Sequence, residues 1–121
     1  MPHAPVSSPQ EGSQKTTTVS RALADTLAQH CDHCFGLIGN ANSHFTSTLT
    51  ESGFGYSSVR HESAAVGAAD AFHRAGGGLA IATATCGAGF TNALTTLAEA
   101  RVARIPLIFV AVSYTHLTLP T

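Results

Sequence analysis

Four short strand-like runs, separated by helical stretches and by loops, constrain the fold of this 121-residue chain more than any other feature. The run at 34–38 is apolar without polar alternation, as expected of a strand buried on both faces of a parallel sheet. The other three runs lie at 56–61, 79–85 and 107–112. Strands that alternate with helices need crossover connections, which run right-handed. We therefore predict a flavodoxin-like three-layer α/β/α fold with a mostly parallel sheet, incomplete at its C-terminus.

The helical stretches are marked by apolar spacing and by glycine. Val19, Leu23 and Leu27 recur every four residues and predict one apolar stripe on a first helix, with Thr17 or Thr18 as its N-cap. Three further helices are predicted over 43–51, 63–75 and 91–103. The glycines at 87 and 89 are read as a tight loop between the third strand and the last helix.

The composition divides the chain into three parts. Residues 1–17 are rich in proline, serine, threonine and glutamine and contain little to bury, which predicts a disordered segment. Residues 18–112 form the predicted domain. Residues 113–121 have neither a helix period nor a loop glycine and resemble the translation of a sequencing adapter, so we predict a non-native tail. A short native tail is the alternative.

Charge and hydropathy exclude several classes of partner. The formal net charge is −1 with few charged residues, which argues against a nucleic-acid partner. The longest apolar run, 105–112, is too short to cross a bilayer, and the N-terminus lacks the basic and apolar regions of a secretion signal. We therefore expect a soluble cytoplasmic protein without a membrane partner, and three cysteines that stay reduced.

Unusual residues follow three of the strands. They are Gly39 and Asn40, His61 and Glu62, and the segment 86–92. Loops at the carboxyl ends of parallel strands meet at one edge of a sheet, where such folds bind ligands. An acid at that edge is partly desolvated, so Glu62 is predicted to hold and donate a proton. His61 is interpreted as a packing residue because adjacent strand residues point to opposite faces.

Each of these residues also has a purely structural explanation. Gly87 and Gly89 are typical of a turn, Asn92 of a first helical turn, and Glu62 of an acid that complements a helix dipole. The Cys-x-x-Cys spacing of Cys31 and Cys34 suggests zinc or redox chemistry. No second pair of ligands stands at a suitable distance, and the motif ends a helix instead of opening one, so no metal ligand is predicted.

Four motifs follow one another along the chain: Val59-Arg60-His61-Glu62-Ser63-Ala64-Ala65, Ala68-Ala69-Asp70-Ala71, Gly87-Ala88-Gly89-Phe90-Thr91-Asn92-Ala93-Leu94 and Arg104-Ile105-Pro106-Leu107. Together they resemble the N-terminal pyrimidine-binding domain of thiamine-diphosphate enzymes, within the acetolactate synthase-like group. The resemblance covers residues 18–112 and is far more specific for the superfamily than for the reaction. Many relatives have Gly-Pro-Gly where this chain has Gly87-Ala88-Gly89.

The resemblance implies a role for each matched position. Glu62 corresponds to the catalytic glutamate that bonds a ring nitrogen of the aminopyrimidine and promotes ylide formation, so that a 2-oxo acid is ligated or decarboxylated. Gly39, Gly87, Ala88 and Asn92 correspond to cofactor-binding positions beside Glu62. The cofactor itself is expected to perform the carbon chemistry.

The resemblance also implies what lies outside this chain. In the family, Mg²⁺ and the diphosphate are held by a C-terminal domain with a Gly-Asp-Gly motif, which this sequence does not contain. The parent enzyme is expected to be a homodimer or homotetramer, with FAD as a further cofactor in some relatives. The chain alone is expected to be inactive. Two alternatives are a non-catalytic nucleotide- or flavin-binding module and a structural remnant that binds a partner through the alanine-rich helix.

Overall fold

The computed structural model describes residues 16–113, and these form one parallel sheet with helices on both faces. The predicted α/β fold is confirmed. Most of the predicted disordered segment, 1–15, and most of the predicted tail, 114–121, lie outside the described residues. No helix within the described range is both long enough and apolar enough to cross a membrane.

Four strands build the sheet in the spatial order β2-β1-β3-β4, and every neighbouring pair is parallel. Their bounds are β1 His33–Gly36, β2 Tyr56–Ser58, β3 Ala80–Ala84 and β4 Ile108–Ala111. The central strand β3 is buried at all five positions, as expected for a strand covered on both faces.

Within residues 16–113, five helices accompany the strands. Their bounds are α1 Val19–His30, α2 Ser43–Glu51, α3 Glu62–Arg74, α4 Ala88–Asn92 and α5 Leu94–Val102. The hydroxyl of Thr18 caps α1 by accepting a hydrogen bond of 3.2 Å from the backbone N–H of Arg21, which confirms one of the two predicted caps.

Each face of the sheet has its own apolar core. On one face, α1 and α2 contribute Ala24, Phe45 and Leu49, which pack with Cys34 and Ile81. On the other face, the packed residues come mainly from α3 and β3: Ala65, Val66, Ala69, Ala80 and Ala82. Because alanine lies on both sides of this second interface, α3 packs close to the strands. This close packing determines the position of the first residue of α3.

The strands are shorter than predicted. β1 ends at Gly36, so Leu37 and Ile38 leave the sheet, and the side chain of Ile38 is 56% exposed. The predicted strand over 56–61 stops at Ser58, because Ser58 pairs with Gly36 and the neighbouring strand β1 ends there.

Two helix predictions are also wrong in detail. Leu27 of the predicted stripe packs against the core beside the buried Ala24, whereas Val19 and Leu23 are 85% and 38% exposed. The helix predicted over 91–103 is two helices, α4 and α5, that meet at the buried Ala93. The tight loop predicted at 87–89 is shorter, because α4 begins at Ala88 directly after Gly87.

The strand order creates a crevice at one edge of the sheet. From β1 the chain passes to β2 on one side, and β3 lies on the other side of β1. The helices that follow β1 and β3 lie on opposite faces of the sheet, so the chain leaves these two neighbouring strands toward opposite faces. Ligands bind at such switch points, outside the carboxyl ends of the strands.

Candidate functional site

The loops that follow β1 and β3 are in close contact at Thr85, the first residue after β3. A Cβ atom added at Gly39 would lie 2.6 Å from Cβ of Thr85, so a larger residue at position 39 would force the loops apart. The backbone N–H of Ala41 donates a hydrogen bond of 3.3 Å to Oγ1 of Thr85. Glycine at position 39 is therefore required by the close approach of the two loops.

The first of these loops is fixed by Asn42, whose side chain is completely buried. Its Oδ1 accepts a hydrogen bond of 2.7 Å from the backbone N–H of Gly39. Its Nδ2 donates to the carbonyl of Leu37 at 3.1 Å and to Oγ1 of Thr83 at 3.2 Å. Because these bonds satisfy the amide group inside the core, the loop after β1 is held in one conformation.

Glu62 is the first residue of α3 and is only 8% exposed. Nδ2 of Asn92 donates a hydrogen bond of 3.2 Å to its Oε2. A Cβ atom added at Gly89 would lie 3.3 Å from its Oε1 and 2.9 Å from Cγ2 of Thr85. The carboxyl group is therefore held between the start of α3 and the helix α4, against the bare backbone of Gly89.

The two carboxyl oxygens of Glu62 have different surroundings. Oε2 is engaged by the amide of Asn92, whereas Oε1 makes no hydrogen bond to any residue between 16 and 113. A carboxyl group fixed through one oxygen can exchange a proton with a ligand through the other. The start of α3 also favours negative charge, so the dipole role predicted for Glu62 is compatible with a ligand role.

The predicted site residues fall into two groups. Glu62 and Asn92 are in direct contact, and Gly39 lies on the other side of Thr85, the residue that also approaches Gly89. By contrast, Gly87 and Ala88 are exposed and line an open hollow of about 680 Å³ on the β4 side of the segment 86–91. The contacts therefore gather three of the five predicted site residues near the buried carboxyl.

His61 does not have the packing role that the sequence suggested. It is exposed and lies before α3 instead of within a strand. Its backbone is extended, with φ −150° and ψ 145°, and its ring accepts a hydrogen bond from the backbone N–H of Ser63. It is therefore the N-cap of the helix that begins at Glu62.

The Cys-x-x-Cys motif is buried away from this edge. Burial raises the pKa of the Cys34 thiol to about 12, and the neighbouring Cys31 adds to the shift. Burial and then the charge of Asp32 raise the pKa of Cys31. Protonated thiols are poor metal ligands and poor nucleophiles. Between residues 16 and 113, no three His, Cys, Asp or Glu side chains are grouped so that they could hold a metal ion.

Sequence reasoning missed two residues that build this site. Thr85 contacts the loop after β1 and the backbone at Gly89, and Asn42 anchors the first loop. Both are polar residues beside an apolar run, a signal that also fits an ordinary loop residue. Only the tertiary fold shows that Gly39 and Gly89 both border Thr85.

The fold and this edge define an α/β domain that can receive a ligand beside a buried carboxyl group at the switch point of its sheet. The family described as "Thiamine pyrophosphate enzyme, N-terminal TPP binding domain" matches residues 17–117. The chain belongs to this family.

Individual relatives agree with this assignment. Acetolactate synthase isozyme 3 large subunit of Escherichia coli (strain K12) is 40% identical over 91 residues, which make up 74% of this chain and 15% of the relative. The 2-hydroxyacyl-CoA lyase 2 of Danio rerio is 33% identical over 90 residues, 74% of this chain and 14% of the relative. The chain thus spans about one seventh of the length of these two relatives.

A solved structure shows the same fold. A Mycobacterium smegmatis enzyme described as thiamin diphosphate-dependent superposes with a TM-score of 0.68 and 27% sequence identity. The superposition covers 84% of this chain and 20% of the Mycobacterium chain. The resemblance stated from the sequence motifs is therefore confirmed at the level of the family.

Proposed function

We propose that this domain binds the aminopyrimidine of thiamine diphosphate and that Glu62 exchanges a proton with a ring nitrogen of that group. One observation carries the proposal. The nearly buried carboxyl group is anchored through Oε2 by Asn92, while Oε1 faces Gly89 and makes no hydrogen bond within residues 16–113.

The residues at this edge fit an aromatic ring with nitrogen acceptors. Gly89 presents backbone where a side chain would crowd both Thr85 and the carboxyl group. A flat ring can approach such a surface closely, and a carboxyl group bonds strongly to a basic ring nitrogen. Gly39, Gly87 and Ala88 are proposed as further cofactor-binding residues.

The residues of this chain have separate tasks in the proposed reaction. Glu62 holds the proton at Oε1 and shares it with the ring nitrogen, Asn92 keeps the carboxyl group oriented, and Thr85 keeps the two loops together. When bound, thiamine diphosphate supplies the carbon nucleophile. The low exposure of Glu62 limits competition from water for the same oxygen.

The reaction proposed for the whole protein is carboligation or decarboxylation of a 2-oxo acid, as in an acetolactate synthase-like enzyme. Mg²⁺ and the diphosphate would be held by a separate domain, and FAD is a possible further cofactor of the parent enzyme. We also propose that the parent is a cytoplasmic homodimer or homotetramer, and that the 121-residue chain alone is inactive.

The test uses the full-length natural protein with thiamine diphosphate, Mg²⁺ and pyruvate. Turnover that depends on the cofactor should fall by about 10²–10⁴-fold in Glu62→Gln, because glutamine keeps the shape of the side chain and cannot exchange the proton. Glu51→Gln, a change to an exposed acid at the end of α2, is the matched control and should leave turnover unchanged. Full turnover in Glu62→Gln would overturn the proposal.

The nucleotide- or flavin-binding alternative makes a different prediction. It would need the start of the helix after β3 to hold a phosphate, but α4 has only five residues and its dipole is correspondingly short. Tight binding of flavin mononucleotide by the 121-residue chain would support this alternative. Absence of flavin binding, together with cofactor-dependent turnover by the full-length protein, would exclude it.

A further inference from the structure

The start of α3 has an unusual N-cap. Serine, threonine, aspartate and asparagine are the residues that usually fill this position. Here, Nδ1 of His61 accepts a hydrogen bond of 3.1 Å from the backbone N–H of Ser63, and Oγ of Ser63 lies 2.7 Å from the same nitrogen. These bonds reach across Glu62, the residue that lies between the cap and Ser63.

The hydrogen bond from Ser63 sets a condition on the tautomer of the His61 ring. A backbone N–H can only donate, so the bond of 3.1 Å requires a lone pair on Nδ1. The tautomer with its proton on Nε2 supplies that lone pair. His73 provides an internal contrast, since its Nδ1 lies 3.0 Å from the carbonyl oxygen of Gly78 and must donate to it.

We propose that His61 is a positioning residue for Glu62. Its neutral Nε2–H tautomer closes a hydrogen-bonded turn around Glu62, and this turn fixes the backbone from which the carboxyl group reaches Asn92. The carbonyl of His61 supports the same turn by accepting hydrogen bonds from the N–H groups of Ala64 and Ala65 at 3.0 Å and 3.3 Å. The inference rests on the proposed role of Glu62 and adds a residue on which the orientation of its carboxyl group depends.

The first measurement is the tautomer of each histidine in the ¹⁵N-labelled 121-residue chain, read from long-range proton–nitrogen correlations. His61 should show an unprotonated Nδ1 and a protonated Nε2, whereas His73 should show a protonated Nδ1. A proton on Nδ1 of His61 would overturn the proposal without the need for any variant.

The second measurement compares His61→Ala with His61→Asn. Alanine removes the acceptor, so the amide of Ser63 should exchange about fivefold faster, as expected for the loss of an N-cap. The side-chain amide resonances of Asn92 should also shift toward those of a free amide, because the carboxyl group of Glu62 loses its fixed direction. Asparagine, a good N-cap, should restore both values.

The side-chain resonances of Asn92 show whether His61 positions Glu62 or only caps α3. If His61→Ala accelerates exchange at Ser63 but leaves the Asn92 side chain unchanged, His61 caps the helix without positioning Glu62, and the proposal fails. It also fails if asparagine does not rescue the Asn92 resonances. Neither measurement needs the cofactor, so these failures are distinct from a failure of Glu62→Gln to reduce turnover.

Discussion

Gly89 is the residue whose replacement most directly challenges the site. In Gly89→Ala, the new methyl group would lie 2.9 Å from Cγ2 of Thr85 and 3.3 Å from Oε1 of Glu62. The side chain of Thr85, the carboxyl group or the backbone of α4 must then move. We expect the free energy of unfolding of the 121-residue chain to fall by about 1–3 kcal/mol in urea titrations.

Gly67, in the middle of α3, provides the matched control. A methyl group added there would meet only Cγ2 of Thr96 at 3.7 Å, an ordinary contact. Gly67→Ala should therefore raise the free energy of unfolding by about 0.5–1 kcal/mol, as alanine does within a helix. Equal effects of the two substitutions would contradict the close packing described around Gly89.

The buried thiol of Cys34 predicts a loss of stability in alkali. Its pKa is raised from 9.0 to about 12 in the fold, so the folded chain keeps a proton that the unfolded chain releases. The stabilisation is complete below about pH 9 and declines as the pH rises toward the folded value, with a slope of up to about 1.4 kcal/mol per pH unit.

Unfolding measurements between about pH 8 and 10 check this prediction. Cys34→Ala should flatten the dependence, leaving the contributions of Cys31 and Tyr56, whose pKa values are also raised by burial. An alkaline slope that persists in full in Cys34→Ala would show that other groups cause it.

At the scale of elements, the end of α5 carries a strained residue. Arg104 has φ 57°, a conformation that favours glycine, just after the helix ends at Val102 and Ala103. The N–H of the following Ile105 bonds back to the carbonyl of Ala100 at 2.9 Å, so this turn closes the helix. Arg104→Gly should therefore raise the melting temperature, by removing about 1 kcal/mol of backbone strain.

Arg101 is the appropriate comparison, because it is also an exposed arginine but lies within α5. Arg101→Gly should lower the free energy of unfolding by about 1 kcal/mol, since glycine is unfavourable inside a helix. If both substitutions destabilise the chain, the positive φ of Arg104 does not describe the protein in solution.

The elements also show which parts of the fold the sequence can predict. The range predicted for α2, 43–51, agrees with its observed bounds because Gly53 marks the end of a self-contained helical stretch, whereas β2 is shorter than its predicted range because its end depends on where β1 ends. Similarly, the four-residue spacing of Val19, Leu23 and Leu27 predicts a buried stripe, but of these three only Leu27 packs against the core, beside Ala24. Local signals therefore located elements, and tertiary contacts set their limits.

In the candidate site, too, the sequence predicts some features, and others depend on tertiary contacts. The three loops were expected to meet because parallel strands end at one edge, and the contact of Glu62 with Asn92 fulfils that expectation. The sequence could not reveal Thr85 as the side chain between the glycines, nor His61 as the cap, because both roles depend on distances across the fold. The catalytic and cofactor-binding roles of the predicted site residues remain predictions.

For the complete protein, we propose that Glu62 promotes proton transfer on bound thiamine diphosphate. The most direct measurement is the rate at which the thiazolium C2 proton of the bound cofactor exchanges with deuterium in the full-length natural protein. We predict that exchange is about 10²–10⁴-fold slower in Glu62→Gln than in the wild type. An unchanged exchange rate, with the cofactor still bound, would contradict the account.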